Sequence, residues 1–201
     1  MRTGFDHSFF TIELRSVYEK NYKRDRFPLL ELMSSMKIGI VYYSRTGNTR
    51  QAAKLLEEKL KGKNAEVDLI EIEHEKRPGF FAAGKAASKQ LKLPIKNTNF
   101  NMEKYEVIIA GSPTWAGSPS PFITMFMDKA EHIKGKKVAV FSTGMSPIDQ
   151  RQRFIEKMKN ILTHAGVTPV DTYLALNFKR GKMVDGEQHI DNFITTVLKK
   201  N

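Results

Sequence analysis

From Met36 onward the chain alternates, five times over, between a short apolar run and a stretch with helical periodicity. Ile38, Ile40, Val41, Tyr42 and Tyr43 form the first run, Val107, Ile108, Ile109 and Ala110 another, and Val138, Ala139, Val140 and Phe141 a third. Runs this continuous suit strands buried on both faces, and strands that alternate with helices suit a parallel sheet joined by crossovers. Val67, Leu69 and Ile72 instead stand among Glu66, Asp68, Glu71 and Glu73, the signature of a wetter edge strand. The fifth run, Val170 to Leu176, is mixed.

The intervening stripes read as helix faces directed at a core. They are Ala52, Leu55, Leu56 and Leu60; Phe122, Ile123, Phe126 and Ala130; Phe154, Ile155, Met158, Ile161 and Leu162; and Ile190, Phe193, Ile194, Val197 and Leu198. Gly62 stands where the first helix would want a left-handed cap. Phe80, Phe81, Ala82, Ala86 and Leu91, ahead of Pro94, predict a helix that packs on the sheet and then a loop. The expected fold class is therefore a doubly wound α/β sheet with helices on both faces. In such sheets a ligand lies beyond the carboxyl ends of the strands, at the switch point of the strand order.

A chain of 201 residues suits one domain with an appendage. Residues 36–201 are expected to be the domain and residues 1–35 an extension. Phe9, Phe10, Ile12, Leu14, Val17 and Tyr18 could form a short helix in it, interrupted by Arg24, Arg26 and Pro28. Met36-Lys37-Ile38 looks like a natural chain start, so the extension reads as an upstream addition or as an arm that contacts a neighbour. Cysteine is absent, which excludes disulfides, thiolate nucleophiles and cysteine metal sites; any redox chemistry must come from a cofactor. No run of about 18 apolar residues occurs and the first 35 residues lack a secretory apolar stretch, so a cytoplasmic protein without membrane insertion is expected. The formal net charge is +11, carried almost wholly by the domain. It favours acidic partners, but the lysines are scattered without interleaved aromatics, so nucleic acid is not expected as a ligand.

Three strand ends carry the chemistry. Ser44-Arg45-Thr46-Gly47-Asn48-Thr49 runs from the first strand straight into a helix. Its hydroxyls, its amide and a glycine that lets the backbone turn form a phosphate nest at a helix N-terminus, or else an ordinary capped turn. Arg45 is expected to face solvent. After the third strand, Pro113-Thr114-Trp115-Ala116-Gly117 holds the sole tryptophan. On a loop it offers a flat ligand a stacking surface; alternatively it covers the helix that begins near Pro121. Ser142-Thr143-Gly144, followed by Met145, Ser146 and Pro147, ends the fourth strand. A ligand with a phosphate tail and a planar head fits all three loops together.

On these motifs residues 36–201 resemble the flavodoxin-like family of FMN-binding proteins. The resemblance implies a five-stranded parallel sheet of order 2-1-3-4-5. It also implies that Ser44, Arg45, Thr46, Gly47, Asn48 and Thr49 surround the FMN phosphate, that Pro113, Thr114, Trp115, Ala116 and Gly117 flank the isoalloxazine ring, and that Ser142, Thr143 and Gly144 line its other side. The Ala116–Gly117 peptide would change its hydrogen bond to the flavin on reduction, a motion that glycine keeps easy.

The expected function is an FMN electron carrier between redox partner proteins. Two departures qualify this expectation: the domain is basic where many flavodoxins are acidic, and Met145 stands where an aromatic is common. One ring face would then be open to a nicotinamide or quinone, which makes an NAD(P)H-dependent FMN oxidoreductase the alternative. A flavin-less interaction module is a third. Scarce acidic residues in the three loops would also make a reduced, anionic flavin less unfavourable. No side chain is nominated as acid or base. His7, His74, His132, His164 and His189 show no metal-ligand spacing and read as surface residues. Neither a phosphate loop of the G-x-x-x-x-G-K-[ST] type nor a G-x-G-x-x-G fingerprint follows the first strand.

Overall fold

The computed structural model describes residues 35–146 and 151–199. The helix expected around Phe9–Tyr18, His7 and Pro147 lie outside the described residues.

Strands β1 (Lys37–Tyr42), β2 (Glu66–Glu71), β3 (Val107–Trp115), β5 (Lys137–Gly144) and β6 (Thr168–Lys179) form a parallel sheet in the order β2-β1-β3-β5-β6. Two short strands join it antiparallel: β4 (Ser118–Pro119) pairs with β3, and β7 (Lys182–Asp185) extends the sheet beyond β6. The expected parallel order is thus observed, inside a sheet of seven strands rather than five. Both additions fold back over tight turns with positive φ at consecutive residues, Ala116 and Gly117 before β4 and Arg180 and Gly181 before β7. This is the twist that two-residue hairpins require.

Side-chain alternation divides the core into two layers. Ile38, Ile40, Tyr42, Val107, Ile109, Ala139 and Phe141 face α1 (Asn48–Lys61) and α5 (Ile190–Val197). Val41, Tyr43, Ile108, Ala110, Val138 and Val140 face α3 (Pro121–Lys129) and α4 (Gln152–His164). Period-two alternation with both sides apolar is why the three central strands read as near-continuous hydrophobic runs. Each fully buried large side chain contributes about 1.5–3 kcal/mol. The edge strand β2 is wetter, as its charges predict, with only Val67 buried.

Three local expectations are corrected. Gly62 is right-handed (φ −63°), and the left-handed residue is Asn64 (φ 63°), because α1 ends through a tightened turn that closes Lys63 N–H on Leu60 O. Helix α2 (Phe80–Ser88) buries Ala83, Ala86 and Ala87, whereas Phe80 and Phe81 are 77% and 89% exposed; its close approach is made by the small residues. The fifth strand is longer than Val170–Leu176, and a bulge sets Val138 opposite Pro169 but Val140 opposite Tyr173. The extra residues break the period there, which is why that run looked mixed.

Candidate functional site

Because β1, β3 and β5 are adjacent and parallel, the loops after them meet at one rim. Direct contacts join them. Thr49 Oγ1 and Thr143 Oγ1 share a buried hydrogen bond of 2.8 Å, and the Trp115 ring meets the Tyr43 ring edge-on with centroids 5.6 Å apart. A side chain on Gly144 would lie 3.3 Å from Thr114 Cβ.

In the first loop Gly47 takes φ 94° and starts α1 without a side-chain cap. Ser44 Oγ accepts from the main-chain N–H groups of Gly47 and Arg50, each at 3.2 Å, and so holds the turn open. The N–H groups of Arg45, Thr46, Asn48 and Thr49 have no partner among the described residues. Four outward donors around a left-handed glycine at a helix N-terminus form an anion cradle. Ser44 and Thr49 are buried and serve the loop itself, while Thr46 is exposed.

Glu71 stands beside this cradle with its charge engaged. Arg50 grips it with two hydrogen bonds of 2.7 Å, and Tyr42 OH donates to it at 3.2 Å. Burial, then the Glu71 charge, pushes the Tyr42 hydroxyl up to about 12. The native protein therefore keeps this proton at pH values where the unfolded chain, near 10, has released it. The resulting stability is complete below pH 10 and is lost as pH rises toward 12. Urea unfolding at pH 11 should show a loss of about 1 kcal/mol relative to pH 9 that Tyr42→Phe does not share; equal losses in both proteins would contradict the assignment.

The second loop differs from expectation. Trp115 ends β3 and is half-buried, packed edge-on against Tyr43 and Phe122, the latter in the first turn of α3. It both covers that helix and lies at the rim. Arg45, expected in solvent, is half-buried: its guanidinium carbon lies 5.6 Å from the Trp115 ring centre and 5.9 Å from that of Phe80, and its Nη1 is buried without a partner. A cation drawn to aromatic faces explains the inward turn. Ala116 (φ 49°) and Gly117 (φ 68°) are the centre of the β3–β4 hairpin. Thr114 Oγ1 is buried and unpartnered, and Pro113 is half-buried beside it.

In the third loop Ser142 and Thr143 are buried. Beneath them lies a residue that the sequence reading missed. Arg151 is 1% exposed, and its Nη1 donates to Ser142 O at 3.3 Å and to Ser142 Oγ at 2.6 Å. Its Nη2 donates to Leu176 O at 3.2 Å, to Ser146 O at 3.4 Å and to Asn177 Oδ1. Tyr173 OH also hydrogen-bonds Ser142 Oγ. The only sequence signal for this cluster is a basic residue at the N-cap of α4, where the helix dipole disfavours a cation.

His74 is half-buried against Tyr43 and Phe122 rather than on the surface, while His132, His164 and His189 are exposed. Among the described residues no cluster of metal-ligating side chains occurs, and no helix is long and apolar enough to cross a membrane.

A family model described as NADPH-dependent FMN reductase matches residues 36–181. No curated protein matches the chain. Among solved structures, a flavoprotein from Lactobacillus acidophilus, crystallised in complex with FMN, is 19% identical with a TM-score of 0.58, over 79% of this chain and 99% of that one. Flavodoxin 2 from Bacillus cereus is 26% identical with a TM-score of 0.53, over 80% and 97% of the two chains.

Proposed function

The chain belongs to the NADPH-dependent FMN reductase family, and from that premise we propose that it binds FMN along the rim of β1, β3 and β5 and oxidises NAD(P)H there to reduce a second acceptor. The observation that carries the proposal is the set of four main-chain donors around Gly47 that have no partner among the described residues. Their chemistry fits a phosphate dianion, and Arg50 cancels the carboxylate that would oppose one.

When bound, FMN supplies the hydride and electron chemistry that no side chain of this cysteine-free chain offers. The N–H groups of Arg45, Thr46, Asn48 and Thr49 hold the phosphate, with Ser44 fixing their directions. The Thr49–Thr143 hydrogen bond keeps the phosphate end and the third loop in register. Trp115, braced by Tyr43 and Phe122, bounds the ring on one side with Arg45 against it. Ser142, Thr143 and Gly144 bound it on another, and the Thr114 hydroxyl is an available donor between them. Met145, 84% exposed at the end of the third loop, and the exposed Phe80, 5.9 Å from the Arg45 guanidinium, make the approach to two of the three loops apolar. An approach of this kind suits the flat ring of a nicotinamide or quinone.

The family match supports the enzyme in preference to the electron carrier expected from the sequence. The test is aerobic and anaerobic turnover by purified protein with FMN, NADPH or NADH, and a quinone or free FMN. Many turnovers without any added reductase are expected. Reduction of FMN only when a separate reductase is supplied would return the protein to the carrier reading.

A further inference from the structure

Among the described residues Arg151 is a buried cation with no carboxylate in hydrogen-bond contact. Every acceptor it contacts among the described residues is neutral: main-chain carbonyls of Ser142, Ser146 and Leu176, the Ser142 hydroxyl and the Asn177 amide. Its Nε is buried with no partner at all. Among the described residues the carboxylate whose field reaches it is Asp185, which lies behind the Asn177 side chain and is itself occupied by the Gly186 N–H and Gln188. Tyr173 stays protonated beside it, its hydroxyl pushed up by burial.

A buried guanidinium is costly and cannot shed its proton, so its charge persists in the fold. The position of that charge is specific. A side chain on Gly144 would lie 3.1 Å from Arg151 Nη2 and 3.4 Å from its Cζ, so the cation sits directly beneath the backbone of the third loop. Five hydrogen bonds to neutral groups among the described residues orient it. For stability alone a well-packed apolar side chain would serve as well or better.

We infer that Arg151 is a charge-setting residue: fixed under Ser142, Thr143 and Gly144, it makes the site prefer the reduced, anionic cofactor over the oxidised, neutral-ringed one. The inference rests on the FMN reading above. Hydride transfer from NAD(P)H moves two electrons and one proton to the oxidised ring, releases NAD(P)⁺ and leaves the reduced ring with one negative charge. No further proton is required where a cation offsets that charge. Because the guanidinium touches the loop rather than the ligand, its effect is through space and falls on the equilibrium between the two redox states.

The experiment compares the affinity of the protein for oxidised FMN and for dithionite-reduced FMN under anaerobic conditions. Asn177→Asp is the decisive variant. It is isosteric and sets a carboxylate on the Arg151 Nη2 contact; because the Asn177 amide also donates to Asp185 Oδ2 at 3.4 Å, it is made together with Asp185→Asn, which removes the facing charge and restores a donor. The preference for reduced FMN should fall about tenfold or more, equivalent to about 30 mV for a two-electron couple, with oxidised FMN binding little changed. Arg151→Lys should retain most of the preference and Arg151→Met should lose it; should the methionine variant not fold, Asn177→Asp with Asp185→Asn decides alone. Wild-type binding of FMN with an unaltered preference in Asn177→Asp with Asp185→Asn overturns this inference only. No FMN binding by the wild-type protein overturns the proposed function and this inference with it.

Discussion

Gly111→Ala is expected to cost about 3 kcal/mol of folding stability, seen as a large fall in the urea midpoint. Gly111 lies in the middle of the sheet, paired with Tyr42 of β1 on one side and Phe141 of β5 on the other. A β-carbon there would meet the Phe141 ring at 2.2 Å and 2.4 Å and Tyr42 Cβ at 2.8 Å. Phe141 is fully buried and Tyr42 nearly so, within the layer covered by α1 and α5, so neither can give way without moving a helix. Shortening the obstacle should rescue the variant: Gly111→Ala with Phe141→Leu is expected to be more stable than Gly111→Ala alone. A loss below about 1 kcal/mol in the single variant would mean that the Phe141 ring does not cover this position.

Thr46→Asp is expected to weaken FMN binding by about 100-fold or more while leaving the melting temperature of the ligand-free protein unchanged or slightly raised. Thr46 is exposed and its hydroxyl makes no hydrogen bond among the described residues. A carboxylate beside the four donors would oppose a phosphate dianion at close range, an effect of about 3 kcal/mol or more in a half-solvated cradle. The same carboxylate lies just before the start of α1, where the helix dipole favours it. Affinity and stability should therefore move in opposite directions, which separates loss of the ligand site from loss of the fold. Quenching of the sole tryptophan by added FMN provides the titration. Retained affinity would place the phosphate elsewhere.

The parallel sheet was legible because its three central strands are apolar on both faces, a pattern that solvent-exposed elements cannot imitate. The two hairpin strands were not. β4 has two residues and β7 four, and both are held by turn geometry at Ala116–Gly117 and Arg180–Gly181 rather than by apolar periodicity. The three rim loops could be located from the end of each strand. The contacts within them could not, since Trp115, Arg45 and Phe80 interact across 70 residues of sequence and only the fold brings them together. Helical spacing drew Phe80 and Phe81 toward the core, but alanines at Ala83, Ala86 and Ala87 already supply the buried face of α2. Arg151 shows the limit most plainly: a basic residue in a basic chain looks like surface until its burial is known.

Among the described residues β7 pairs with Asn177, Phe178 and Lys179 of β6, and the earlier part of this twelve-residue strand has strand neighbours on β5 alone. Unsatisfied strand edges invite a second molecule to add on, and the chain counters this with Pro169, which cannot donate, and with the kink between Pro169 and Tyr173. The irregularity that blurred the fifth run in the sequence thus works as a guard against self-association into extended aggregates.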